Sequence, residues 1–292
     1  MVPRLLSACC RPQRSRAMHW QTSRFQIDLS QPRVMGIVNA TPDSFSDGGR
    51  SPNQALAHAE MLLREGADIL DIGGESSRPG APAVSVEDEL ARVIPVLRGA
   101  LQMGVPVSVD TWKPEVMCAA LDLGVDIVND ILALQADGAL EAVVAHPSCG
   151  ICLMHMQGEP RSMQRDPRYD DVTRSVRDFL ADRSHALRSR GVQAARIVLD
   201  PGIGFGKTVE HNFALIKGQR ALLDLGYPVL AGWSRKSSIG TVTGRAVGER
   251  VHGSVAAALA AVQCGARVIR VHDVAATVDA LAVWRAAGLP EC

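Results

Sequence analysis

The sequence predicts a single α/β domain, a parallel (β/α)8 TIM barrel, and three observations carry that prediction. Eight short apolar runs, at 34–38, 69–70, 105–109, 125–128, 151–154, 197–199, 229–231 and 268–271, are separated by helix-length segments. At or just after their ends stand Asn39, Asp71, Asp110, Asn129 with Asp130, His155, Asp200, Lys236 and His272. Six of the intervening segments close on a glycine (Gly66, Gly104, Gly124, Gly191, Gly226, Gly265) shortly before the next run. Glycine there suits the left-handed position that ends a helix. Such a barrel collects its chemistry on the loops at the C-terminal ends of its strands. An open doubly wound sheet also alternates strand and helix. It concentrates its site at one switch point, whereas here polar residues follow almost every run.

The elements follow in order. Helices are expected at 52–65, 86–101, 114–123, 137–145, 171–190, 209–225, 251–264 and 275–286. Pro114, just after Asp110-Thr111-Trp112-Lys113, fits a first helical turn. The domain is expected over 25–290, with 1–24 as an N-terminal extension without fixed structure. Residues 1–17 hold four arginines and no acid. They read more readily as sequence upstream of a start at Met18 than as a transit peptide.

A chain of 292 residues suits one barrel of about 250 residues plus an extension. A formal net charge of zero gives no basic field for nucleic acid or a membrane surface. No run is long and apolar enough to span a bilayer. Seven cysteines without framework spacing suggest free thiols and a cytoplasmic setting. The lone Cys149-Gly150-Ile151-Cys152 pair lacks a second half for a metal site and reads as core thiols.

Strand parity then sorts the candidate site. In Val268–Val271 and on to His272, Arg270 and His272 share one face while Ile269 and Val271 take the other. A barrel interior holds an arginine only if it meets water, an anion or an internal carboxylate. The loop Ser234-Arg235-Lys236-Ser237 is also cationic, and the loops after the last two strands form this fold's usual phosphate corner. A phosphorylated substrate is therefore expected. Asp110 and Asp200 suit a planar N–H/NH2 edge, since a carboxylate takes such an edge bidentately. The competing reading makes them N-caps or ion-pair partners of Lys113, Lys207 or Lys236. The stretch Asp200–Thr208 imitates a P-loop with one residue too few. It reads better as a Gly-rich loop that lets a flat ligand approach, with Phe205 over one ring face. Loops 39–50 and 73–83 are polar and Gly-rich, as mobile lids are. Asn39 and Asp47 supply oxygen donors that suit Mg²⁺, with Asp47 as a plain N-cap in competition.

The blocks Met35–Gly49, Asp71–Gly80, Ser108–Thr111, Asn129-Asp130, Leu153–Gly158, Asp200–Lys207, Ser234–Ser237 and Arg270–His272 together resemble the bacterial dihydropteroate synthases, within the pterin-binding enzymes. That resemblance spans about 34–273. It implies a folate-pathway barrel, usually a homodimer, that joins 6-hydroxymethyl-7,8-dihydropterin diphosphate to 4-aminobenzoate and is inhibited by sulfonamides. By resemblance, Asp110, Asn129, Asp200 and Lys236 match the pterin pocket. Asn39, Arg78, Arg270 and His272 match the diphosphate site, with Mg²⁺ near Asn39 and Asp47. Phe45, Pro79, Phe205 and Ser237 match the aminobenzoate site, and Thr41 and Ser77 join the substrate-binding set. Asp110, Lys236, Arg270 and His272 are the expected catalytic group. Trp112 and Trp233 stand where smaller residues are frequent in that family. Competing expectations are a pterin-binding methyltransferase, a silent binding paralogue, and an aldolase using Lys236 as a Schiff base.

Overall fold

The computed structural model describes residues 18–41, 52–76, 80–160 and 162–288. Eight parallel strands form the central sheet: β3 (Arg33–Asn39), β4 (Ile69–Gly73), β5 (Val107–Asp110), β6 (Ile127–Asp130), β7 (Gly150–Met154), β8 (Ile197–Asp200), β9 (Leu230–Ala231) and β10 (Val268–Val271). They pair in chain order from β3 to β8, while β10 bonds to both β3 and β9. A parallel bridge from Leu199 to Val229 closes the ring. The predicted barrel stands.

Around it run α1 (Pro52–Arg64), α2 (Val86–Ala100), α3 (Pro114–Asp122), α4 (Ala139–Ala145), α5 (Val172–Ser189), α6 (Val209–Lys217), α7 (Arg220–Leu223), α8 (Ser237–Thr243), α9 (Val251–Gln263) and α10 (Val274–Ala286). Side-chain caps from Ser85, Asp171 and Thr208 start α2, α5 and α6 by taking orphan backbone N–H groups. The six glycines all have positive φ, between 75° and 99°, as the helix–Gly–strand pattern requires.

Two helical expectations change. The segment expected as one helix over 209–225 breaks into α6 and α7 at Gly218, where an added Cβ would lie 2.5 Å from Thr173 Oγ1. Gln219 then turns its amide onto the carbonyls of Ala261 and Cys264, at 2.9 and 2.8 Å. The short helix α8 is additional, opening at Ser237 directly after Lys236.

The N-terminal boundary also needs correction, because residues 18–24 do not stand outside the fold. The antiparallel hairpin β1 (His19–Gln21) and β2 (Gln26–Asp28) seals the lower mouth of the barrel. Trp20, Ile27 and Leu29 pack with Met35, Ile69, Ile127, Cys152, Val198, Leu230 and Val268 into one apolar floor. Trp20 is fully buried, and its Nε1 donates to the Arg196 carbonyl at 2.9 Å. Arg24 Nη2 pairs with the buried Asp126 at 2.6 Å, and Asp126 also accepts from the Val107 backbone. Each large apolar side chain so buried contributes roughly 1.5–3 kcal/mol. The expected unstructured stretch is thus contradicted for 18–24, while 1–17 lie outside the described residues.

Candidate active site

Interior positions rise in layers above that floor. Alternation sends Ile269 and Val271 into the core between strands and helices and leaves Arg270 inside the barrel. Register sets Asp71 beside Ser108, Asp110 beside Asn129, and Met154 beside Asp200. A cavity of about 330 Å³ opens at the C-terminal ends of the strands. Its walls include Asn39, Asp110, Asn129, Asp200, Phe205, Lys236, Ser237, Arg270 and His272, so nine of the expected site residues share one mouth. Thr41 is buried just past Asn39 and lies outside that lining. Phe45, Asp47, Ser77, Arg78 and Pro79 lie outside the described residues.

Arg270 is the hub. Its Nε donates to Asp71 Oδ2 at 2.6 Å and its Nη2 to Asp110 Oδ2 at 2.5 Å. Both alternatives weighed for this arginine therefore hold together: it is ion-paired and it faces the cavity. Burial opposes its charge, but the two carboxylates outweigh that and raise its pKa. Asp110 is pushed up to about 7, first by burial and then by the like charge of Asp71, with Arg270 pulling the other way. Burial likewise raises Asp200, whose Oδ1 accepts from the Gly202 backbone at 2.7 Å. His272 sits across a 3.0 Å contact from Ser234 Oγ, which also receives its backbone N–H.

One wall is built for a flat ring. Lys236 Nζ lies 4.1 Å from the Phe205 ring centroid. Ile131, Met154, Met163 and Phe205 form a small apolar cluster with Trp112, Leu132 and Met156 packed against it. Trp112 therefore belongs to the rim of the site, whereas Trp233 is buried in the outer core against Phe213.

The three lysines offered as partners for the acids behave differently. Lys113 bridges Glu75 and Glu89, each at 2.5 Å, and so ties the loop after β4 to α2. Lys207 makes no acid pair among the described residues; its Nζ reaches His155 Nδ1 at 2.9 Å and the carbonyls of His155, Gly202 and Phe205 at 3.2, 3.0 and 2.9 Å. Burial drops Lys207 to about 7, and burial plus that lysine drops His155 to about 3. The look-alike P-loop is thus a loop stitched from beneath. At its start, Gly202 has φ +68° and an added Cβ would lie 1.9 Å from the His155 carbonyl oxygen, so no other residue fits. His155, read as a strand-end polar group, packs edge-on against Phe179 away from the cavity. Asp130 turns out as well, its two oxygens accepting from the Leu132 and Leu134 backbone at 2.7 Å.

Sequence reasoning counted Arg235 only as one charge of a cationic loop and gave Arg250 no role. Arg235 adopts φ 58°, and a non-glycine residue there is uncommon. Its guanidinium grips Asp273 at 3.0 and 2.5 Å, while Arg250 Nη1 holds the Arg235 carbonyl at 3.1 Å. These contacts fix the loop that presents Lys236.

The pterin binding enzyme family model matches residues 35–272. Dihydropteroate synthase of Neisseria meningitidis serogroup B is 55% identical over 278 residues, covering 92% of this chain and 98% of that protein. The chain belongs to the pterin-binding enzyme family. Solved structures of the family superpose throughout. Xanthomonas albilineans dihydropteroate synthase with 4-aminobenzoic acid gives a TM-score of 0.85 at 52% identity, covering 91% of this chain and 96% of that one. Burkholderia cenocepacia dihydropteroate synthase with 7,8-dihydropteroate gives 0.85 at 51% identity, covering 93% and 96%. Among the described residues no helix is long and apolar enough to cross a membrane.

Proposed function

We infer that this pterin-binding enzyme is a dihydropteroate synthase, a transferase of folate biosynthesis. It joins (7,8-dihydropterin-6-yl)methyl diphosphate to 4-aminobenzoate, giving 7,8-dihydropteroate and diphosphate. One observation carries the reading: Asp110, Asn129 and Asp200 line the same cavity as Arg270, His272 and Lys236. The acids suit the amino-oxo edge of a bicyclic base, and the cations suit its anionic tail. The relatives with bound 4-aminobenzoic acid and 7,8-dihydropteroate support both halves.

In this reading Asp200 and Asn129 bind the pterin edge and Lys236 lies over the ring beside Phe205. Charge-assisted hydrogen bonds of this kind contribute roughly 1.5–3 kcal/mol each. The C–O bond to the diphosphate breaks with its electron pair going to the leaving group, held by Arg270 and His272. The methylene cation so formed is delocalised into the dihydropterin, and Asp110 supplies a fixed negative charge beside it. The aminobenzoate amine attacks that carbon, and its surplus proton leaves to solvent. Ser237, at the head of α8, receives the aminobenzoate carboxylate, with Phe205 as a ring wall. No covalent enzyme intermediate is needed, so Lys236 has no Schiff-base role.

We place Mg²⁺ with the substrate. The described residues hold no group of three or more acids, histidines or cysteines able to bind a metal. Asn39 offers a single amide oxygen at the cavity, which fits an ion completed by phosphate oxygens, water and Asp47. When bound, such an ion neutralises charge on the leaving diphosphate. The free thiols Cys118, Cys149 and Cys152 fit a reducing cytoplasm. A homodimer is expected from the family, and sedimentation at micromolar concentration checks it.

The deciding experiment is a coupled diphosphate-release assay. Release should need both the pterin diphosphate and 4-aminobenzoate. Equal release without the amine would refute synthase activity, and trapping of Lys236 by borohydride with a carbonyl substrate would favour the aldolase alternative.

A further inference from the structure

Asp71 takes no part in the chemistry above, yet it is bonded directly to two residues of the site, Arg270 and Asn129. It is fully buried on β4. One oxygen, Oδ2, receives two donors: Arg270 Nε at 2.6 Å and Asn129 Nδ2 at 3.2 Å. The other, Oδ1, accepts nothing from the described residues, and the buried Oγ of its strand neighbour Ser108 has no hydrogen-bond partner among them either. A buried carboxylate with one oxygen unused is costly, because that oxygen has lost its water and gained no donor. A residue kept only for stability would use both oxygens. The fork of Arg270 is divided, with Nε on Asp71 and Nη2 on Asp110, which lies nearer the cavity mouth.

We propose that Asp71 is a positioning residue that pivots Arg270: it keeps Nε fixed while Nη2 exchanges between Asp110 and the departing diphosphate. The inference rests on the reading that Arg270 holds the diphosphate. With Nε anchored below, Arg270 transfers its outer donor without losing its orientation or burying an unpaired charge. Release of Nη2 also frees Asp110 for the pterin, so the two halves of the substrate are received in concert. Through Asn129 the same carboxylate oxygen sets the neighbouring pterin contact. Besides Asp71, the acids that act on Arg270 are Asp110 on β5 and Asp200 at the end of β8.

The test is calorimetric titration with inorganic diphosphate on four full-length proteins: parent, Asp71→Asn, Arg270→Ala and the double variant. Asp71→Asn should weaken diphosphate binding about tenfold, within the range for a residue that acts on a ligand through its neighbour. The double variant should bind within threefold of Arg270→Ala, because Asp71 acts through the arginine. A purely structural role would instead multiply the two losses. Diphosphate affinity within threefold of the parent in Asp71→Asn, or multiplied losses in the double variant, would overturn the proposal. An unchanged affinity in Arg270→Ala would instead sink the reading of the diphosphate site beneath it. If Asp71→Asn does not fold, Arg270→Lys decides. A lysine ammonium lacks the fork that reaches two carboxylates, so a loss of at least threefold supports the pivot and a smaller loss overturns it.

Discussion

The lower and upper halves of this barrel interior are made by the same strands and differ in everything else. Below, Trp20, Ile27 and Leu29 from the hairpin meet Met35, Ile69, Ile127, Val198, Leu230 and Val268 in a dry floor. Two residues further along their strands stand Asp71, Asn129, Asp200 and Arg270, and β5 adds Ser108 and Asp110. The lower layer is held by close packing and tolerates no polarity. The upper layer holds three acids close together, because Arg270 and Lys236 share their field. Stability and chemistry are separated by height within one scaffold, and substitutions in the two layers should fail in different ways.

Arg270→Ala should have the largest effect. It removes the diphosphate donor and strands Asp71 and Asp110 without a counter-charge. We expect kcat/KM to fall about 10³-fold, the scale of losing a preorganised charge-stabilising donor, in steady-state assays of diphosphate release. Trp20→Ala should do the opposite. It opens a cavity under the floor at a cost of about 3–5 kcal/mol, read as a lowered urea midpoint, while kcat of the folded fraction stays at the parent value. A wild-type midpoint in that variant would dissolve the contrast. Asp200→Asn should weaken binding of the phosphate-free pterin alcohol roughly 10–100-fold by calorimetry, since an amide cannot accept two donors.

Two smaller effects are read against pH. Asp110 sits at about 7, raised from the ordinary carboxylate value. The ionised form is the one that stabilises the forming cation, so kcat/KM should fall as pH drops through 7, approaching about tenfold per unit. A flat profile between pH 5 and 8 would remove Asp110 from that role. For stability the sign is reversed: the folded state keeps a proton on Asp110 that the unfolded chain has lost, so this group's contribution declines as pH rises from about 4 to 7. Lys207 works in the next window. Its folded value is depressed to about 7, so the unfolded chain holds the extra proton and stability rises with pH from 7 towards 10.5. Lys207→Met should flatten that rise in urea midpoints measured from pH 7 to 9.

The same contrast explains what was legible in the sequence. Alternation along Val268–Val271 placed Arg270 inside, because a four-residue run fixes its own parity. Asp71 was visible as a strand-end acid but received no role, since the apolar run before it has only two residues to set a phase. The floor was illegible for another reason. The hairpin strands have three residues each, and Trp20 finds its partner 176 residues away at Arg196. Lys207 was misleading because its partners are mostly backbone carbonyls, which every residue type owns. The break between α6 and α7 was hidden in the same way, since it depends on Thr173 of α5 crowding Gly218.

The stopper at the lower end has a consequence for traffic. With Trp20 wedged beneath the strands, the described residues close the lower end of the barrel, and the cavity that holds Asp110 and Asp200 opens at the C-terminal ends of the strands. Bulk liquid therefore has no route to the short-lived cation from below, and whatever caps the upper opening during turnover helps decide whether that cation meets an amine or is quenched.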